Sequence, residues 1–306
     1  MKKLFAITLF AMLTLQVCFA QNDLYKYDPP WNTPPQNGVP FTIPGIDNVP
    51  DFYGDVNDPQ LVVFFAGNQF MVIGELLSAF REEHPEYTRI FVETLPPGIL
   101  AKQIEQGALV VGNMRIDLKP DVYAAGKQRI QDNKDWFTRT ASYAQNKLAI
   151  MVRQGNPQHV QSLRDLGKDN VNVSMPNPEW EGIGRRIEEA YVKAGGEELK
   201  RRIMQEKVKS KSTFLTHIHH RQTPLRVLRK ESDAGPVWYT EVFYQKMIGN
   251  PVELVEIPAK ENVTATYQIG VMKTAPHPKA AEAFVNFLTS PSGQAIYKKY
   301  GFLPPQ

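Results

Sequence analysis

Three histidines and an arginine fall within five residues: His217, His219, His220 and Arg221, with Thr223 following before Pro224 breaks the segment. An arginine presents a planar fork of donors that matches a carboxylate, phosphate or phosphonate. Imidazoles at His219 and His220 add donors that titrate near neutral pH, and Thr223 adds a hydroxyl. Together these residue types describe the capture of a small anion, with Arg221 as the fixed charge and His220 as a pH-dependent donor. The plainer alternative is a surface position for each histidine and a structural ion pair for Arg221. The spacing of His217 and His219, with His220 beside them, also admits a transition-metal site, although no carboxylate stands near them in sequence.

No other pattern carries catalytic chemistry. The chain has no Gly-x-Ser-x-Gly elbow, no His-Glu-x-x-His, no phosphate-loop lysine and no dinucleotide glycine fingerprint. Gly182-x-Gly184 lacks a third glycine and reads as a helix entry. Acidic pairs such as Glu82-Glu83 and Glu188-Glu189 read as solvated helix faces. No enzyme activity and no cofactor is expected.

The elements that must position the cluster alternate between strand and helix. Leu61–Ala66 is a continuous apolar run ending at Gly67-Asn68-Gln69, as a buried parallel strand would be. A helix follows over Met71–Glu83, then a strand over Tyr87–Glu93, a Pro96-Pro97-Gly98 loop, a helix over Ile99–Gln106 and a short strand at Asp121–Ala124. Leu148–Val152 and Val171–Met175 are further strands. A helix over Arg185–Ala194 should end at Gly195-Gly196 as at a C-cap. The basic 200–211 stretch reads as a solvated face. Leu225–Lys230 is a short helix leading into a strand at Pro236–Tyr239. Val252–Ile257 and Ala265–Met272 are strands, and Lys279–Leu288 and Gln294–Tyr300 are helices. Alternation of this kind predicts an α/β fold with mostly parallel sheets and a ligand at the carboxyl ends of the strands.

The N-terminus differs from the rest. Lys2 and Lys3, the apolar run Leu4–Leu15 and Cys18-Phe19-Ala20 read as a secretory leader cleaved after Ala20. Cys18 is the sole cysteine, so the mature chain would have no disulfide and no thiolate. The formal charge is +3, and losing Lys2 and Lys3 lowers it by two to +1, which argues against nucleic-acid binding or a polybasic membrane patch. Residues 21–59 interleave prolines with Trp31, Phe41, Phe52 and Tyr53, which reads as an extended strap or a docking arm.

With these segments in order, the chain resembles an extracytoplasmic solute-binding protein of an ABC-type system, in the molybdate-binding-like branch of the two-lobed type II periplasmic binding fold. The residues that carry the likeness run from Leu61 to Pro305. They are Val62–Asn68, Leu100–Gly107, Pro120–Tyr123, Asn146–Val152, Gly155-Asn156-Pro157, Asn177-Pro178-Glu179, Asp233–Tyr239, Ala281–Leu288, Gly293–Ile296 and Tyr300–Phe302. The resemblance implies α/β lobes at 60–143 with 263–306, and at 144–262, hinged near Tyr143–Lys147 and Asn262–Tyr267. It implies a small anionic ligand in the cleft between them, a membrane ABC permease as partner and a periplasmic, monomeric protein. The ligand contacts it implies are Asn68 with Gln69 after the first strand, backbone N–H groups at Gly98 and Ile99 and at Gly182 and Ile183, and Trp238 with Tyr239. His219, His220, Arg221 and Thr223 complete the set. Asn68 and Pro97-Gly98 replace two serines of the family pattern, which points away from molybdate and tungstate toward another oxyanion, or a small carboxylate or phosphate. Presentation of ligand to a membrane sensor kinase, and metal binding by His217, His219 and His220, are the alternatives.

Overall fold

The structure is a computed structural model that describes residues 51–305 except Trp180 and Ile218. The leader and the arm as far as residue 50, with Trp31 and Phe41, lie outside the described residues.

In the first half, β1 (Phe52–Gly54) and β2 (Leu61–Ala66) precede a tight 3-10 turn over Gly67–Val72 and α1 (Ile73–Glu83). Then come β3 (Ile90–Leu95), α2 (Pro97–Gln106), a β4 (Leu109–Val111) and β5 (Met114–Ile116) hairpin, β6 (Val122–Gly126), α3 (Lys127–Asp132) and β7 (Phe137–Arg153). The second half runs β8 (Val173–Met175), α4 (Gly182–Arg201), α5 (Lys207–Lys209), β9 (Thr213–Leu215), α6 (Gln222–Leu228), β10 (Ala234–Trp238) and α7 (Tyr239–Met247). It closes with β11 (Val252–Glu256), β12 (Thr264–Met272), α8 (Pro278–Thr289) and α9 (Pro291–Lys299).

β2 is buried along its whole length and lies between β3 and β6, parallel to both, which is why it reads as an unbroken apolar run rather than an alternation. Its Leu61, Val63 and Phe65 face a core with α1 and α8, while Val62 and Phe64 face a second cluster with Leu100 of α2 and Tyr123 of β6. A separate core joins Leu148, Ile150 and Val152 of β7 to Ile183 and Ile187 of α4. The strand order is β1-β3-β2-β6-β12-β7-β10-β8-β9, with β11 also on β7. β7 is the shared member. Its residues up to Lys147 pair with β12, and from Leu148 onward they pair with β10 and β11. The sheets are therefore mixed, with parallel pairs at β2, β3 and β6 and at β8, β9 and β10, and antiparallel pairs around the shared strand.

Two local expectations are corrected. The strand at 148–152 is the second half of a 17-residue strand, whose first half exposes Thr138, Arg139 and Thr140 and so lacks a continuous apolar signal. The helix from Gly182 does not stop at Gly195-Gly196 but kinks there and continues to Arg201. Gly196 has φ +72°, a left-handed conformation that glycine adopts without penalty. The basic stretch that follows is exposed and paired at Arg201 and Arg202, except for buried Lys207, which donates to the carbonyls of Lys168 at 2.6 Å and Val171 at 2.7 Å. Among the described residues no helix is long and apolar enough to cross a membrane.

Candidate functional site

The loop between β9 and α6 is held from its own side of the molecule. Thr216 N–H donates to the Met175 carbonyl at 2.9 Å, and Asn177 N–H donates to Thr216 Oγ1 at 3.1 Å. The carbonyls of His219 and His220 accept from Gln222 and Thr223 and open α6. Thr223 is fully buried, 3.2 Å from Ser174 Oγ, and packs on Gly235, where an added Cβ would stand 2.7 Å from the Ser174 carbonyl oxygen. Glycine at 235 is what lets the helix sit this close to β10.

That packing buries His219 (0% exposed), His220 (4%) and Arg221 (2%). Across from them stands the Gly67–Val72 turn. Gly67 is in close contact with His219: an added Cβ would overlap its Nε2 and stand 2.9 Å from Cε1. Phe70 of the same turn lies under the Arg221 guanidinium, 5.6 Å from its ring centre.

His220 is clamped by two carboxylates. Glu181, just before α4, lies 3.1 Å from its Nδ1 and also accepts its backbone N–H at 2.9 Å. Glu241, in the first turn of α7, lies 3.2 Å from its Nε2 and accepts the Trp238 N–H at 3.1 Å. Burial pulls the His220 pKa down, but Glu241 and Glu181 together outweigh it and push the imidazole up to about 10. His220 is thus an imidazolium at neutral pH, and titration near 6.5 is corrected to a much higher window. His219 is the opposite case. Burial first, then Arg221 and His220, hold its pKa well below the ordinary range, so its ring is neutral. Its Nδ1 accepts the Arg221 N–H at 3.1 Å, which places the single ring proton on Nε2. That Nε2 is buried with no hydrogen-bond partner among the described residues.

Arg221 forms an ion pair with Asp51, at the head of β1, and both side chains are buried. The plainer alternative weighed for Arg221, an internal ion pair, is therefore present, and its partner lies 170 residues away in the proline-rich arm.

The other expected contacts divide. Asn68 Nδ2 donates to Tyr267 Oη at 2.6 Å. Trp238 packs edge-on against Tyr267, 6.2 Å between ring centres. Both lie beside the cluster. Gln69 does not offer its amide to a solute: the N–H₂ donates to Tyr143 and the oxygen accepts from Tyr297 at 2.7 Å, inside the core that includes α1 and α8. Ile99 N–H already donates to the Pro96 carbonyl at 2.8 Å, and its side chain packs in the cluster with Leu100 and Tyr123. No hydrogen bond or ion pair among the described residues ties Gly98 or Ile99 to the His219–Arg221 loop. Gly182 is exposed and Ile183 points into the core with β7, whereas Glu181, one residue earlier, reaches His220. Tyr239 is half-buried, stacked on Phe243 and capped by Lys147 Nζ at 4.5 Å. His217 is exposed, its ring edge-on to Phe214, so the three-histidine metal set is corrected: Glu181 takes the place of His217 beside His219 and His220. Asp51, Glu181, Glu241 and Tyr267 are the residues that sequence reasoning missed.

The family model described as bacterial extracellular solute-binding protein matches residues 61–303. A molybdate-binding protein, ModA, of Mycobacterium bovis is 26% identical over 215 residues, covering 67% of this chain and 70% of its own length. The periplasmic molybdate-binding protein of Azotobacter vinelandii superposes with a TM-score of 0.65 at 17% identity, covering 80% of this chain and 100% of that one. The sulfate-binding protein SubI of Mycobacterium tuberculosis H37Rv gives 0.64 at 17% identity, covering 80% and 86%. The two-lobed type II periplasmic binding fold expected from the sequence is the fold observed.

Proposed function

Because the chain belongs to the bacterial extracellular solute-binding protein family, we propose that it captures a small anion outside the cytoplasm and delivers it to the permease of an ABC importer, without catalysing a reaction. The observation that carries this reading is the buried Arg221 guanidinium with a carboxylate, that of Asp51, already on it. A buried cation demands a matched anion, and an arginine fork is built for carboxylate or phosphate geometry. The Nε2–H of His219, and the Asn68 amide if released from Tyr267, would add donors. Relatives named for molybdate and sulfate support an oxyanion, while the missing serines favour a small carboxylate or phosphate.

Binding then requires the solute to take the place of Asp51 on Arg221. β7 and β12 cross between the two cores as a paired ribbon, so we place the hinge where β7 changes partners, at Lys147–Leu148. Lobes at 60–143 with 263–306 and at 144–262 would close on the solute. Calorimetry with molybdate, tungstate, sulfate, thiosulfate, phosphate and small dicarboxylates tests the reading. One of these anions should bind at a single site and lose at least 30-fold in affinity in Arg221→Ala. Native mass spectrometry that finds only a cationic or neutral small molecule on the purified protein would overturn it.

A further inference from the structure

The anion reading uses His219 as a donor but gives no role to Glu181, Glu241 or the ring of His220 between them. Glu181, His219 and His220 each offer a ligand atom, all buried, and these atoms lie within 4.8 Å of one another. They do not form a local run, since Glu181 opens α4 and the histidines precede α6. Two carboxylates converge on the one ring of His220, Glu181 Oε2 at 3.1 Å and Glu241 Oε1 at 3.2 Å. The one positive charge of the imidazolium matches only one of the two carboxylates, and a buried unmatched carboxylate is costly. The Nδ1 lone pair of His219 is taken up by the Arg221 N–H.

We propose that Glu181, His219 and His220 form a transition-metal site, with Glu241 as the group that orients His220. Two imidazoles and one carboxylate suit Zn²⁺, Ni²⁺, Cu²⁺ or iron, whereas Mg²⁺ and Ca²⁺ favour oxygen ligands throughout. With metal–ligand bonds of about 2.0–2.1 Å, neighbouring ligand atoms of a tetrahedral site stand roughly 3.3 Å apart. His220 Nδ1 and Glu181 Oε2, at 3.1 Å, already have that spacing. His219 closes the third side by rotating out of its bond to the Arg221 N–H, which frees the Nδ1 lone pair for the metal. Metal on Nδ1 leaves the His220 Nε2–H facing Glu241 Oε1 at 3.2 Å, where a small turn of the ring would align the pair as the carboxylate–histidine–metal arrangement that fixes ring orientation. The incoming ion displaces the second ring proton of His220, and its additional charge matches the second carboxylate. Three protein ligands leave a position for water or for an oxygen of the solute. The Arg221 side chain is not a ligand, and although His219 serves in both readings, the metal site goes beyond the anion reading and is tested apart from it.

The test is calorimetry and elemental analysis of the full chain, stripped with a chelator and then titrated in turn with Zn²⁺, Ni²⁺, Cu²⁺ and Co²⁺. One equivalent of at least one ion is expected, with release of a proton seen as a buffer-dependent heat. Glu181→Gln should weaken binding at least tenfold, and His217→Asn should leave it unchanged. If Glu181→Gln melts below the working temperature, Glu181→Asp and His219→Gln serve instead, with the visible spectrum of bound Co²⁺ reporting loss of a ligand. Absence of stoichiometric binding for all four ions overturns the site. So does binding that survives at Glu181 and His219 but is lost at His217, which would mark a surface histidine contact. Anion binding by the chelator-treated protein is read in the same series, so failure of the metal site and failure of the anion reading are told apart.

Discussion

The carboxylate of Asp51 lies on the guanidinium of Arg221, and neither side chain reaches solvent. The two lie 170 residues apart: Asp51 leads β1, which pairs antiparallel with β3, and Arg221 precedes α6. The 21–59 stretch that reads in sequence as a strap or docking arm therefore contributes Asp51 to the site. If a solute anion must replace Asp51, the pair is a competition. Asp51→Asn should bind the anion about tenfold more tightly. The same variant without ligand should be less stable by about 3–5 kcal/mol, the cost of leaving one half of a buried ion pair, with added anion restoring the melting temperature. Unchanged affinity in calorimetry would show that the solute does not meet Arg221 where Asp51 does.

Arg221 itself gives the reciprocal prediction. Arg221→Ala should weaken anion binding by roughly 2–5 kcal/mol, as for truncating one member of a buried charge pair. Arg221→Lys should recover only part, because a point charge cannot reproduce the fork. Thermal unfolding of both variants separates lost binding from lost folding, since Asp51 is left buried in each.

His220 sets a pH dependence. Glu241 and Glu181 face its two ring nitrogens, while neutral His219 lies beside it and Arg221 is paired with Asp51. With a folded-state pKa near 10 against about 6.5 unfolded, the folded form holds the extra proton between those values. Its stabilising contribution is complete below pH 6.5 and is lost as pH rises through about 10. Melting temperatures should fall over that window in the parent, and His220→Gln should start lower and flatten the fall. A parent profile that is level from pH 6.5 to 10 would contradict the clamp.

Glu93 acts in a lower window. It is buried on β3, accepts from Gln103 at 3.0 Å, and burial, reinforced by Asp51, pushes its pKa up to about 8. The folded state again binds more protons than the unfolded one, here between pH 4.5 and 8, so stability falls as pH rises through that range. Glu93→Gln should remove the fall and be more stable than the parent at pH 8 by on the order of 2 kcal/mol. Equal stability of the two proteins at pH 8 in urea unfolding would count against a strongly raised carboxyl.

Much of the fold was legible because its signals are local. The apolar run Leu61–Ala66 is a strand buried on both faces, and Val72, Leu76, Leu77 and Phe80 share a face that packs under it. The site was only half legible. The donors Asn68, His219, His220 and Arg221 lie in one run or directly follow a strand, where a motif can be seen. Their counter-charges do not. Glu181, Glu241 and Asp51 reach the cluster from three separate elements, and in sequence each looks like an ordinary surface acid. The one local hint was position: Glu181 precedes the helix entry at Gly182, and Glu241 falls three residues after Trp238. Gln69 and Ile99 were misplaced because chain position after a strand or at a helix entry does not say which polar groups the core has already used.

The last prediction rests on Gly67. An added Cβ there would overlap the His219 ring from the opposite lobe, whereas on its own side it meets the Thr94 carbonyl oxygen at 3.1 Å, a gap that tenths of an ångström relieve. Gly67→Ala therefore penalises the arrangement in which the 67–72 turn touches the histidine loop and spares each lobe by itself. With the hinge proposed in the paired β7 and β12 strands, the lobes would open to relieve the overlap. The variant should keep most of its melting temperature, show a larger radius of gyration in small-angle scattering, and bind solute at least tenfold more weakly, since only the closed form makes every contact. Replacing Gly74, where an added Cβ meets nothing within 4 Å, is the control and should change neither quantity. Parent-like scattering and affinity in Gly67→Ala would mean that the His219 ring turns aside to admit the methyl group, and that contact between the turn and the histidine loop does not govern solute binding.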